Sequence, residues 1–267
     1  MKENEIYNQF SVAYNVLFQE SIQSFKEAVG SDRKYAVFYP SFGIKPDEHC
    51  NFLIYGQAVN GWSPDFNTHD RIDYKQLLQD SIEYSNSYYK KKNHSPLDWV
   101  NIYWSNSSYN EHVKTGEEII CYPKLEYRVF RSFFWNVVYK LVCRFYDIDT
   151  ESFDWSKKIV WSNLYKIAPK EGGNPNDKEC LLQDKYSFEL VKKEIEELKP
   201  KYCIVITNET WWKPFQEYLN SEKINQKTSD VIQSIEMYKG TKIIVTSRPF
   251  SGNNSNHANE ILDALKI

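Results

Sequence analysis

Residues 181–206 read LLQDKYSFELVKKEIEELKPKYCIVI, a helical pattern followed by a strand-like run. Phe188, Val191 and Ile195 recur at the spacing of one helix face, and Pro200 marks the end of that helix. The run YCIVI that follows is short, continuous and apolar, as expected of a strand buried on both faces of a sheet. This stretch therefore predicts a helix that leads into a central strand.

Similar strands and helices are expected along most of the chain. Apolar runs of strand length lie near residues 51–55, 158–163, 202–206 and 242–246. Helical patterns lie at about 4–29, 127–146, 181–198, 211–219 and 256–266. Strands that alternate with helices predict an α/β fold with three α/β/α layers and a mostly parallel, four-stranded central sheet.

We expect one domain over residues 1–267. Its N-terminal helix covers about 4–29, and Asn256 is the expected N-cap of the last helix. Residues 63–115 are polar and weakly periodic, which predicts an irregular insertion with one helix near 74–89.

Composition and charge exclude several classes of protein. The 267 residues carry a formal net charge of −3 and are 41% hydrophobic, which excludes a disordered polyelectrolyte and a strongly basic DNA-coating protein. No apolar stretch approaches the roughly 20 residues that span a bilayer, and the polar start does not resemble a secretion signal. We therefore expect a cytoplasmic protein with no membrane partner.

The cysteines and histidines do not predict a metal site. The chain has five of each, with no C-x-x-C and no H-x-x-x-H spacing. Each cysteine is expected to be a buried thiol in a reducing compartment. We expect no metal and no cofactor.

In a parallel sheet, ligands bind outside the carboxyl ends of the strands. The four predicted strands end in polar loops, which should converge on one cleft. These loops are GQAVNGW at 56–62, SNLYK at 162–166, TNE at 207–209 and TSRPF at 246–250.

The first two loops offer amide side chains. Gly56 begins a turn that matches neither a dinucleotide fingerprint nor a phosphate loop, and it presents Gln57 and Asn60. These amides can hold a planar ligand or orient a water, whereas the alternative is a tight turn without a ligand. Asn163 ends a strand, and its acceptor and two donors suit the edge of a nucleobase. The alternative there is a turn residue that bonds to its own backbone.

The last loop combines a cation, a rigid backbone and a ring in Arg248, Pro249 and Phe250. The guanidinium can donate to a phosphate or to an anion that develops during a reaction. The alternative is a surface arginine beside a packed phenylalanine.

Together these loops resemble the uracil-DNA glycosylase superfamily over roughly residues 50–265. GQAVN at 56–60 stands where that family has G-Q-D-P-Y or G-E-A-P-G. NLYKIAP at 163–169 with GNP at 173–175 resembles the N-V-V-K-C-R-P-P and G-N-R-x-P signatures, and RPF at 248–250 stands where the family has His-Pro-Ser. The resemblance implies a DNA-repair hydrolase that extrudes a base from DNA into a pocket.

The resemblance also implies roles for individual residues. Gln57, Asn60 and Arg248 would form the catalytic group: the two amides would hold a water or the sugar, and the cation would stabilise the leaving base. Asn163 would read the pyrimidine edge, Trp62 or Phe66 would stack on its face, and Phe250 would act as a wedge. The full set of expected substrate-binding residues is Gly56, Ala58, Trp62, Phe66, Asn163, Lys166, Pro249 and Phe250.

The chain departs from the family at the positions that supply acid–base chemistry. Ala58 and Gln57 stand where the two branches have an acidic residue, which leaves Asp65 or Glu209 as candidate replacements. Three readings therefore remain open: a DNA glycosylase, a binding module for a nucleobase, nucleotide or damaged strand that has lost the chemistry, and an unrelated small-molecule enzyme. The expected partner is DNA or a free nucleobase or nucleotide, and the expected oligomeric state is a monomer.

Overall fold

The computed structural model describes residues 10–45, 48–59, 61–86, 95–97, 99–100, 129–149, 154–225 and 229–267. The helices in these ranges are α1 (Val12–Val29), α2 (Tyr74–Asn86), α3 (Phe133–Tyr146), α4 (Asp177–Leu198), α5 (Glu209–Leu219) and α6 (Asn254–Lys266). The strands are β1 (Lys34–Val37), β2 (Ser41–Phe42), β3 (Phe52–Gly56), β4 (Asp65–Asn67), β5 (Ile159–Asn163), β6 (Ile167–Pro169), β7 (Tyr202–Ile206), β8 (Glu222–Asn225), β9 (Ile232–Tyr238) and β10 (Thr241–Thr246).

The main sheet has the order β2-β5-β3-β7-β10-β9-β8. The four predicted strands are its centre, since β5, β3, β7 and β10 are parallel to one another. The prediction of a four-stranded sheet was wrong in number, because the sheet has seven strands: β2 is added on one side and β9 and β8 on the other, all in antiparallel pairing.

A tight hairpin explains the first added strand. Lys239 and Gly240 both have positive φ, 46° and 85°, between β9 and β10. Two such residues form the turn that matches the twist of a two-residue antiparallel hairpin. The hairpin reverses the chain, so β9 lies antiparallel on the outer side of β10, and β8 extends the sheet further.

A second sheet has three antiparallel strands in the order β4-β1-β6. Tyr35 of β1 pairs with Phe66 of β4 on one side and with Pro169 of β6 on the other. This small sheet therefore joins the loop that follows β3 to the segment that follows β5.

The core lies on both faces of the main sheet. Ile54 and Ile244 project to the face covered by α3 and α6, which we call the α3/α6 face. Leu53 and Val245 project to the opposite face, covered by α1, α4 and α5, which we call the α1/α4 face. Because residues alternate between faces along a strand, the strands carry the continuous apolar runs expected of the middle layer.

Capping residues set the helix bounds. The α4 helix begins at Asp177, before the predicted 181, because Asn176 and Glu179 form a reciprocal capping box. Asn253, and not the predicted Asn256, precedes α6, without a capping hydrogen bond from its side chain, and the Asn256 side chain donates to Glu260 at 2.5 Å.

The insertion is described in part. The helix predicted near 74–89 is observed at Tyr74–Asn86. Residues 87–89 of that prediction, residues 4–9 of the predicted first helix and residues 101–128 lie outside the described residues. Among the described helices, none has both the length and the apolar character that crossing a membrane requires.

Candidate functional site

The order of the parallel strands brings the four polar loops to one edge of the main sheet. Two of the loops are joined directly, since Leu164 N donates to Gly56 O at 2.9 Å. The other two are joined in the same way, since Asn208 N donates to Thr246 O at 2.9 Å. The side of the sheet at which the four parallel strands end is called the carboxyl edge, and it is the candidate site.

Asn163 is the last residue of β5 and pairs with Gly56, the last residue of β3. It is 2% exposed, and the alternation along β5 places its side chain on the α3/α6 face with Trp161. The Nδ2 atom has no hydrogen-bond partner among the described residues. A buried donor without a partner costs about 1–3 kcal/mol, so this amide is suited to receive an acceptor atom from a ligand.

Gly56 permits the position of the Asn163 amide. A Cβ atom at Gly56 would lie 2.5 Å from Asn163 Oδ1 and 3.7 Å from Phe134 Cε2. The first distance is shorter than non-bonded atoms tolerate, so only glycine allows this approach. The amide and the Phe134 ring therefore approach the same side of Gly56. Sequence reasoning missed Phe134 because it lies in an apolar helix that was assigned to the core.

The Gln57 side chain forms hydrogen bonds that connect the loop after β3 with two other loops. Its Nε2 donates to Thr207 O at 3.2 Å, and its Oε1 accepts from Asn174 Nδ2 at 2.8 Å. Asn174 belongs to the GNP segment at 173–175. The Gln57 amide is thus engaged in positioning the loop after β3.

Asn208 holds an unusual backbone conformation at the end of β7. It has φ 91° and ψ 163°, a region that is almost restricted to glycine and costs about 1–3 kcal/mol. Its side chain caps α5 by accepting from Trp211 N at 3.2 Å. The conformation fixes the direction of the chain directly after Thr207, whose carbonyl accepts from Gln57.

The turn between β10 and α6 presents the last set of predicted residues. Arg248 is exposed, Pro249 is buried and Phe250 is 61% exposed. A cation and an apolar ring are therefore accessible to a partner at the carboxyl edge.

His257 is a neutral residue at this edge that sequence reasoning did not assign. It is fully buried, and its Nε2 lies 3.0 Å from Thr246 Oγ1, while Nδ1 has no partner among the described residues. Burial lowers the pKa of His257 to about 4, against the opposing effect of Glu260. Its signal in the sequence was its place at the start of the last helical pattern, 256–266.

Other predicted site residues lie away from the Asn163 amide. Lys166 is buried on the α1/α4 face, where Nζ lies 2.7 Å from Glu194 Oε1, and Phe66 packs on that same face beside Tyr35. Lys166 lies in the turn between β5 and β6, where its ammonium group packs on Glu194, and the pairing of β4 with β1 places Phe66 beside Tyr35. Ala58 is half-buried against the same cluster.

Trp62 does lie on the α3/α6 face. Its ring packs against Phe38 and Trp161, with centroid distances of 5.5 Å to each. Trp62 is thus part of the aromatic core on the face that the Asn163 side chain also occupies. Asn60 lies outside the described residues.

The two candidate acids are already paired with lysines. Asp65 Oδ2 lies 2.7 Å from Lys170 Nζ, and Glu209 Oε1 lies 3.0 Å from Lys223 Nζ. Within the described ranges, no group of three or more His, Cys, Asp or Glu side chains is arranged to hold a metal ion.

A separate surface depression of about 580 Å³ lies between α1 and the start of α2, with Arg71 and Lys75 in its lining. Asp73 already caps α2 there, accepting from Lys75 N at 3.0 Å. The depression has no buried polar side chain in its lining, so it is a weaker candidate for a binding site than the strand-end loops.

Scans of the sequence against protein-family models and against curated proteins found no match. The function is therefore inferred from the chemistry of the strand-end site.

Proposed function

We propose that the chain is a uracil-DNA glycosylase-like protein that binds a pyrimidine base of DNA at the carboxyl edge of its sheet. The observation that supports this most is the buried, unpartnered Nδ2 of Asn163 beside Gly56. An amide held at 2% exposure has its orientation restricted by packing, as base recognition requires.

The amide edge complements uracil. Nδ2 of Asn163 donates to the exocyclic carbonyl of the base, and Oδ1 accepts from the adjacent ring N–H. Phe134 supplies an aromatic ring on the same side of Gly56, against which a planar base packs. Cytosine presents an amino group where uracil presents a carbonyl, so the same amide disfavours cytosine.

Arg248 and Phe250 supply contacts to the rest of the nucleic acid. The exposed guanidinium pairs with a phosphate, or with the negative charge on a departing base. The Phe250 ring is exposed, and in this proposal it enters the space that an extruded base leaves.

Cleavage of the N-glycosidic bond is expected to be slow. In that reaction the oxygen of water bonds to the sugar carbon, the bond to the base breaks, the base leaves with the electron pair, and the proton lost by the water passes to solvent or to the base. Ala58 and Gln57 supply no carboxylate, and both candidate acids are ion-paired. General acid–base assistance contributes about 10² to 10⁴ in rate, so its loss leaves weak activity at most.

A non-catalytic binding module is the second candidate. It is favoured by Gln57, whose amide bonds to Thr207 and Asn174 and so contributes to loop structure. The two candidates share the base-binding site and differ in whether a base is released.

Binding and excision are tested with single-stranded oligonucleotides that differ in one base. We expect fluorescence anisotropy to give at least about tenfold tighter binding with uracil than with cytosine, the difference of roughly one hydrogen bond. Equal binding of both would contradict the proposal. Alkaline cleavage of abasic sites then reports excision.

Excision by the wild-type protein separates the two candidates, and Arg248→Ala tests the role of the guanidinium in each. In a glycosylase it should remove the residual excision, whereas in a binding module no excision is present to lose and only affinity falls. Arg71→Ala is the matched control, because Arg71 is also exposed but lies beside α2.

A further inference from the structure

A buried carboxylate lies directly behind the candidate site, on the α1/α4 face. Glu194 of α4 is fully buried and accepts hydrogen bonds from Tyr14 Oη at 2.6 Å, Tyr55 Oη at 2.7 Å and Ser162 Oγ at 2.8 Å. Lys166 Nζ is its fourth partner, at 2.7 Å. This set of five side chains is called the Glu194 network.

Two members of the Glu194 network immediately precede the site residues. Tyr55 pairs with Ser162 in the parallel register, and the next pair along is Gly56 with Asn163. Because successive residues of a strand face opposite sides, the Glu194 network holds β3 and β5 together behind the pair that faces the ligand.

Lys166 acts on Asn163 itself. Its Nζ donates to the backbone oxygen of Asn163 at 2.5 Å and to Ser162 Oγ at 2.7 Å. The cation therefore restrains the peptide that leaves β5, and with it the direction of the Asn163 side chain.

The charges in this network are not an obvious source of stability. The Lys166 and Glu194 side chains are 1% and 0% exposed. Buried ion pairs lose so much hydration that apolar replacements of similar volume are often equally stable. A pair kept at such burial, with Glu194 bonded to Tyr55 and Ser162 near the ends of β3 and β5 and Lys166 bonded to the Asn163 carbonyl, fits a role in setting the geometry of these strand ends.

We propose that Lys166 and Glu194 are positioning residues for Asn163, and that α1 takes part in the site through Tyr14. This inference rests on the proposed binding of a base by Asn163. The inference also assigns a role to α1, which lies outside the region that resembles the glycosylases. Ser11 reinforces the contact of α1 with α4, since its Oγ donates to Glu197 at 2.7 Å.

The test compares Tyr55→Phe and Tyr14→Phe with Tyr35→Phe. Each substitution removes one buried hydroxyl that donates to a glutamate, but Tyr35 bonds to Glu179, at 2.6 Å, outside the Glu194 network. The double variant Lys166→Met/Glu194→Leu replaces both charges together, so that no single charge is left buried without its partner.

The first measurement is hydrogen exchange of the Leu164 amide in the free protein, since this amide donates to Gly56 O. We expect exchange to be at least about tenfold faster in Tyr55→Phe than in Tyr35→Phe. The reason is that loss of the Tyr55 hydroxyl lets the ends of β3 and β5 separate without unfolding of the whole protein. The second measurement is affinity for the uracil oligonucleotide, expected to fall about tenfold in Tyr55→Phe, Tyr14→Phe and the double variant but not in Tyr35→Phe.

The outcomes separate this inference from the proposed function. Exchange and affinity in the Tyr14, Tyr55 and double variants that both match the Tyr35→Phe control would overturn the positioning role. If the wild-type protein binds no uracil oligonucleotide, the proposed function fails, while faster Leu164 exchange would still establish that the Glu194 network restrains the strand end. A double variant that does not fold leaves Tyr14→Phe and Tyr55→Phe to decide the result.

Discussion

Gly56 and Asn163 form the last registered pair of β3 and β5, and the Asn163 Oδ1 atom occupies the space beside Gly56 that any larger residue would need. A Cβ atom there would lie 2.5 Å from Oδ1. The position of the Asn163 amide therefore requires glycine at position 56.

Gly56→Ala should therefore displace the Asn163 side chain. Overpacking of this kind typically costs about 1–3 kcal/mol, so we expect a loss of that size in the free energy of unfolding, measured by urea denaturation. The added methyl group and the amide compete for one space, so Gly56→Ala should cost much less when Asn163→Ala is also present. Strictly additive effects of the two substitutions would show that the two side chains do not compete.

The central strands were predictable because their signal is local. The runs near 51–55, 158–163, 202–206 and 242–246 are apolar and short, and each end of the observed strands lies within one residue of the predicted end. The two edge strands, β2 and β8, were missed because their identity depends on pairing. Ser41–Phe42 is too short to carry a pattern, and Glu222–Asn225 is exposed throughout.

The candidate site was predictable only at the level of its loops. Asn163 and Gln57 were selected because they follow predicted strands, which is a local property. Which face a side chain occupies depends on tertiary packing, and Lys166 shows this, since its ammonium group lies on Glu194 behind the site. Phe134 and His257 could not be assigned from local pattern because distant chain segments bring them to the edge.

Asn208 provides a test of the backbone strain at the end of β7. At φ 91° a glycine has no Cβ penalty, and glycine at an N-cap costs only a few tenths of a kcal/mol relative to asparagine. We expect Asn208→Gly to be as stable as the wild type or more so, and Asn208→Ala to be less stable than Asn208→Gly by about 1–3 kcal/mol. Equal stability of the two variants in urea denaturation would argue against strain at this position.

His257 predicts a dependence of stability on pH. Its pKa is about 4 in the folded protein and about 6.5 in the unfolded chain, so the unfolded state takes up the proton first as the pH falls. The free energy of unfolding should therefore decrease as the pH falls below about 6.5. At pH 5 the protonation of His257 in the unfolded chain should lower it by about 2 kcal/mol relative to neutral pH.

The control for that measurement is His257→Gln, which keeps a neutral polar side chain near Thr246. Urea denaturation of both proteins at several pH values gives the effect of His257 alone, because the other titratable groups are the same in both and cancel in the difference of the free energies of unfolding. The free energy of unfolding should fall more steeply in the wild type than in the variant. Parallel pH profiles would mean that His257 has an ordinary pKa in the folded state.

The side-chain amide of Asn163 offers the most direct test of base binding. Its two Nδ2 proton signals can be identified in a nitrogen-correlated NMR spectrum as the pair that disappears in Asn163→Ala. Titration with the single-stranded uracil oligonucleotide should move one of these signals downfield, because the donor that is unpartnered in the free protein gains an acceptor. Saturation of that shift, and its absence with the matched cytosine oligonucleotide, is the predicted result. Nδ2 signals that stay in place throughout the uracil titration would contradict the assignment of Asn163 as the base-reading residue.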